Sequence, residues 1–165
     1  MHYNGKGELL NTFGGRGDDD HLFNNAHGIC IDNRDKSNPT LLITARQQNK
    51  LKRFSLSGEY LESYDFPGAF ICRPVMHNEN DYLATIWSND GSEGSGFISV
   101  LDKNNTLVSA PGGCAPKYAN GHLNKMYQTL KVFTHPHDVC VDEDENLYVA
   151  QWNAGKTYPI KLIRV

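Results

Sequence analysis

Short apolar runs separated by turn residues dominate the chain, and none sustains a helical i, i+3, i+4, i+7 stripe for three turns. Ala26-His27-Gly28-Ile29-Cys30-Ile31-Asp32 is followed by Leu41-Leu42-Ile43-Thr44, Leu51-Lys52-Arg53-Phe54 and Gly58-Glu59-Tyr60-Leu61. These runs have strand length, and Asp-Gly, Ser-Gly, Asn-Asn and Asp-Lys-Asn turn signals punctuate the chain. Pro136-His137-Asp138-Val139-Cys140-Val141-Asp142, Leu147-Tyr148-Val149-Ala150 and Ile160-Lys161-Leu162-Ile163-Arg164-Val165 repeat the first three runs register for register. Between the two copies lies a divergent unit: Arg73-Pro74-Val75-Met76, Tyr82-Leu83-Ala84-Thr85-Ile86, Gly96-Phe97-Ile98-Ser99-Val100-Leu101 and Asn105-Thr106-Leu107-Val108.

Recurring four-strand units predict an all-β fold of the β-propeller type, with the first strand of each unit lining a channel and the fourth at the rim. A β-sandwich is the competing architecture, but it does not require strand starts to repeat a His-x-apolar-Cys-apolar-Asp pattern. The prediction is one partial propeller domain over residues 1–165 with about three four-stranded blades, half of a six-bladed ring. Its parts are an outer strand at about 6–14, a blade at about 26–65, a divergent blade at about 70–110, a long insert at about 112–133 and a last blade at about 135–165. The outer strand lacks its own blade and the last unit stops after three strands, so each end offers what the other needs. Closure then calls for self-association of two chains, or pairing with a missing propeller half, since closing a ring removes open edges. A second insert, Ser88 to Ser95, is short, whereas the 112–133 insert has the length of a lid or binding loop.

Composition narrows the function classes. A net charge of −3 without a basic stripe points away from nucleic acid and anionic membranes. No apolar run approaches the roughly 20 residues of a membrane span, and MHYNGKGELL has no signal-peptide core, so the chain reads as soluble. The compartment is not legible; a complete parent protein could be secreted or periplasmic. Cys30, Cys72, Cys114 and Cys140 lack CxxC spacing and are expected to be buried free thiols, with a Cys30–Cys140 disulfide as the alternative.

At these runs the chain resembles the NHL-repeat β-propeller family, and within it the C-terminal half of the peptidyl-α-hydroxyglycine amidating lyase propeller. The matching features are the strand ending in Phe13-Gly14, the His27 strand, Leu42-Ile43-Thr44-Ala45-Arg46 with Asn49-Lys50-Leu51, a divergent blade, and Pro136-His137-Asp138, in the family's order. They cover nearly the whole chain, although blade motifs are shared by propellers of unrelated function. The resemblance implies a zinc ion held by three histidines from separate blades, with His27 and His137 matching the second and third, and a calcium ion bound through Asp138. It also implies that the first histidine and the catalytic arginine and tyrosine lie in the other half of the ring, so the catalytic residues stay unassigned here. The implied reaction splits a peptidyl-α-hydroxyglycine into a peptide amide and glyoxylate.

The residues themselves add a geometric argument. Side chains that open equivalent inner strands converge at one mouth of the channel, so His27 and His137 are expected to face each other. Two imidazoles suit zinc, which takes three protein ligands plus water in open sites. Counting Arg73 against His137 puts the Arg73 guanidinium at the channel, where it could grip a carboxylate of a small-molecule or peptide ligand or pair with a blade carboxylate. The same count puts His77 at the strand end, out of register. His122 and His135 are read as surface histidines, Asp18-Asp19-Asp20 as a solvated turn, Gly14-Gly15-Arg16-Gly17 as a turn, and Trp87 and Trp152 as packing between blades. The competing function is a non-catalytic scaffold that binds protein or glycan, or a shortened gene product.

Overall fold

The computed structural model describes residues 1–165 and is all-β, apart from one 3₁₀ turn at Arg46–Gln48. Strands β1 (His2–Tyr3) and β2 (Leu9–Asn11) form a hairpin. Strands β3 (Ala26–Asp32), β4 (Thr40–Ala45), β5 (Lys50–Ser55) and β6 (Tyr60–Asp65) make the first four-stranded sheet, antiparallel in chain order. Strands β7 (Ala69–His77), β8 (Asn80–Ser88), β9 (Phe97–Leu101) and β10 (Leu107–Ser109) make the second on the same plan. After a small hairpin of β11 (Tyr118–Ala119) and β12 (His122–Leu123), strands β13 (Pro136–Val141), β14 (Leu147–Gln151) and β15 (Ile160–Leu162) make a three-stranded third sheet. No sheet closes on itself.

Local chemistry explains the turns. Asp102 Oδ1 accepts hydrogen bonds from the backbone N–H groups of Asn104 and Thr106, and Asp142 Oδ1 accepts from those of Asp144 and Asn146. Each carboxylate thus caps its turn, with Asn105 and Glu145 in the left-handed region at φ 58° and 60°. A third short turn, between β7 and β8, carries Asn78 at φ 53°.

The sheets pack face to face in series. Leu42 and Leu51 of the first meet Ile71, Leu83, Phe97, Leu101 and Leu107 of the second. On the other side Cys72, Tyr82, Ala84, Ile86 and Ile98 meet Val139, Leu147 and Val149 of the third. Each Val, Leu, Ile or Phe among them contributes about 1.5–3 kcal/mol on removal from water. The outer side of the first sheet is covered locally: Phe23 stacks on Phe54 at 5.4 Å and Phe13 packs on it, tilted, at 5.6 Å. Lys52, fully buried there, donates from Nζ to the carbonyls of Asp19 (3.1 Å) and Leu22 (2.5 Å). The Asp18-Asp19-Asp20 turn is therefore tied to a lysine through its backbone, and Gly14 to Gly17 is a turn with no helix after it.

Three details differ from the expectations. The segment 6–14 is a strand only at Leu9–Asn11 and pairs with β1, because Asn4 Oδ1 accepts from the N–H groups of Lys6 and Glu8 and closes the hairpin locally. The 112–133 insert is pinned along its length: Met126 and Phe133 are buried, and Gln128 Nε2 donates to the carbonyls of Gly96 and Phe133. All four thiols are free, but only Cys72 is buried; Cys140 is exposed because strand alternation turns it off the packed face of β13.

Candidate metal centre

The first strands of the three sheets are irregular at corresponding places. Their pairing registers shift between Ala26 and Ile29, between Ile71 and Pro74, and between Pro136 and Asp138. Within these bulges lie His27, Cys72 and His137, each five residues before Asp32, His77 and Asp142 respectively. A bulge re-aims the side chain it carries. The outcome is that potential ligand atoms of His27, Cys72 and His137 all lie within 4.8 Å of one another. The two imidazole rings stand edge to face, with centroids 4.9 Å apart. This group could hold a metal ion.

Burial shapes the electrostatics. It holds the His27 imidazole down at about 4, with the Arg46 guanidinium and the His137 ring adding to the effect. His137 is lowered by burial and then by Arg46. Both rings are thus neutral near pH 7 and carry a free lone pair. His27 Nδ1 is buried and has no hydrogen-bond partner. Burial pushes the Cys72 thiol up to about 11, opposed by the charge and hydrogen bond of Arg46.

Arg46 is a site residue that the sequence argument missed. It follows β4 directly, in the 3₁₀ turn, and its guanidinium lies 5.4 Å from the Trp87 ring centre in a cation–π contact. Arg46 Nε and Trp87 Nε1 are both buried without partners. The signal was present in the alignment of second-strand ends, where Ala45-Arg46, Ile86-Trp87 and Gln151-Trp152 correspond. Cys72 was missed for a related reason. Matching Arg73 to His137 put it at the convergence point; counted back from Asp32, His77 and Asp142, the matching position is Cys72, one residue earlier.

Arg73 instead turns to the neighbouring sheet, where its Nε donates to Asp138 Oδ1 at 3.1 Å; both side chains are about half exposed. Asp138 Oδ1 also accepts from its neighbour's N–H, that of Val139. A calcium ion at Asp138 would have to compete with the Arg73 guanidinium. His77 ends β7, with Nε2 buried and unpartnered, outside the His27 group. His135 is buried, not on the surface: its Nε2 accepts from the Gly94 N–H, leaving Nδ1 to donate to the carbonyl of Trp152 or Asn153. His122 is exposed on β12. Trp87 packs on Phe70 at 6.2 Å, and Trp152 is half exposed beside His135. No helix is long and apolar enough to cross a membrane. No protein-family model matches the chain, and no curated protein matches it.

Proposed function

We propose that the chain is a portion of an NHL-type β-propeller, its sheets acting as blades, that carries a zinc site at the meeting point of their first strands and binds a carboxylate-bearing small molecule or peptide there. The observation that carries this reading is the convergence of His27 and His137 from separate sheets, with one imidazole nitrogen buried and unpartnered. The donor set fits zinc, which accepts imidazole nitrogen and thiolate and leaves a position open for a ligand. Zinc, when bound, supplies Lewis acidity to a ligand oxygen.

The chain's own residues do the rest. Neutral His27 and His137 offer lone pairs without first releasing protons at pH 7. Arg46, held against Trp87, places positive charge beside the two rings and suits a ligand carboxylate. Arg73 is the second candidate for that carboxylate, and a ligand would have to displace Asp138 from it. On the resemblance to amidating lyases, substrate cleavage would belong to the complete ring, where the catalytic arginine and tyrosine would come from further blades. A second copy of the chain would close the ring without them, whereas a missing propeller half would bring them.

Zinc titration of the purified protein tests the reading. Saturable, stoichiometric binding is expected, weakened in His27→Ala and His137→Ala by more than the roughly 10–100-fold that loss of a supporting group costs. Failure of the unaltered protein to retain zinc would refute it.

A further inference from the structure

We infer that Cys72 is a third protein ligand of this site, making it a nitrogen–nitrogen–sulfur centre for a thiophilic divalent ion within a single chain. The inference rests on the proposed metal site and adds its ligand set and metal class.

Three observations support it. Cys72 occupies in β7 the place that His27 and His137 occupy in β3 and β13, each inside the bulge of its own first strand. Three separate irregularities that all deliver potential ligands to one point differ from an isolated buried cysteine, which would act as a small apolar side chain. The separation is also right. Ligand atoms within 4.8 Å of one another need to close by about 1 Å to surround an ion with nitrogen at about 2.0–2.1 Å and sulfur at about 2.3 Å. Both imidazoles are only half-buried, which leaves the rings room to turn. Finally, Cys72 has no thiol partner: the other cysteines are free, so no disulfide competes for its sulfur.

Coordination is balanced simply. The Cys72 S–H loses its proton to solvent as the sulfur–metal bond forms, one proton is released per ion, and no electron moves. The thiolate favours zinc or cobalt(II) over magnesium or calcium, which prefer oxygen. Arg46, beside the sulfur, offsets the negative charge of the thiolate.

X-ray absorption at the zinc edge of the zinc-loaded, full-length protein tests the ligand set without any substitution. One sulfur neighbour at about 2.3 Å is expected beside nitrogen and oxygen neighbours. Cobalt(II) loading should give a sulfur-to-metal charge-transfer band that persists when Cys30, Cys114 and Cys140 are all replaced by serine and disappears in Cys72→Ser. Zinc bound through nitrogen and oxygen alone would overturn the role of Cys72 while leaving the two-histidine site standing. A band that vanishes in a folded triple-serine variant would also overturn it. Absence of bound metal in the unaltered protein would overturn both readings.

Discussion

At Gly28, a methyl group built onto the backbone would lie 2.4 Å from the Cα of Arg73, closer than real carbon atoms approach. The neighbour is backbone, so no rotamer change relieves the clash. Glycine here lets β3 approach β7 closely enough for His27 and Cys72 to meet. Gly28→Ala is expected to cost about 1–3 kcal/mol through overpacking and to weaken zinc binding, as read by urea denaturation and by titration of the same sample. Asp81 raises a different issue. It is fully buried, neither carboxylate oxygen has a well-formed hydrogen bond, and burial pushes its pKa up to about 7, opposed by Arg34 and more weakly by the backbone N–H groups of Val75 and Tyr82. With the folded value above the unfolded one, 3.8, the unfolded state loses its proton first as pH rises. The contribution of Asp81 to stability is therefore full below pH 3.8 and lost between 3.8 and about 7. Asp81→Asn should remove that slope and stabilise the protein at pH 8 by about 1–3 kcal/mol. Denaturation midpoints across the pH range would show both effects, and an unchanged slope in the variant would count against this assignment.

Among the elements, the turn after β3 joins two sheets. Arg34 donates to both oxygens of Asp32 in its own sheet (2.8 and 2.6 Å). It also reaches the second sheet's loops, donating to the Glu79 carbonyl (3.3 Å), the Asp102 carbonyl (3.1 Å) and Asn105 Oδ1 (2.7 Å). Its side chain is only 12% exposed and that of Asp32 7%, so water replaces little of this network when the cation is removed. Arg34→Ala should destabilise the fold by about 1–3 kcal/mol, because it strips the buried Asp32 of its guanidinium hydrogen bonds and leaves only Arg53, at 3.7 Å, to offset its charge. Arg34→Lys should recover only part of the loss, since an ammonium cannot reproduce the planar fork. Thermal denaturation of the two variants side by side would separate charge from geometry. This clamp was not visible in the sequence, where Asp32 only ends the first apolar run of its unit. Its partners come from positions up to Asn105, and only packing of the two sheets brings them together.

For the molecule as a whole, the two end sheets differ from the middle one. The second sheet is covered on both faces, whereas Ile29 and Ile31 of β3 stay 53% and 58% exposed and Tyr148, Ile163 and Val165 are exposed at the other end. In a serial stack each unit buries its face on the next, so exposed apolar ends are the places where further units add. The proposed pairing of two copies joins the first sheet of one to the third sheet of the other, twice, around a two-fold axis. Light scattering over a range of concentrations should report a species of twice 18.5 kDa, and Ile29→Glu with Ile31→Glu should restore the monomer. A monomer at every concentration would contradict the pairing.

The strands themselves were legible in the chain, because alternation and turn chemistry are local: the Asp142 turn, the apolar run Leu41 to Thr44 and the repeat of the His27 and His137 strands each depend on neighbours within a few residues. The approach of His27 to His137 was anticipated for the same reason, from two matching strand starts. Local pattern could not decide which residue of the divergent unit joins them. The divergent unit shares no side-chain pattern with the other two by which to set its register, and only the pairing of β7 with β8 puts Cys72 in the bulge and turns Arg73 to Asp138. Nor could it reveal Arg46, whose place beside the rings depends on Trp87 from the next sheet, or the hairpin of β2 with β1, which the Asn4 turn favours over an outer-strand role. Secondary structure here follows from interactions a few residues long; the composition of the site follows from how three sheets stack, which only the tertiary structure decides.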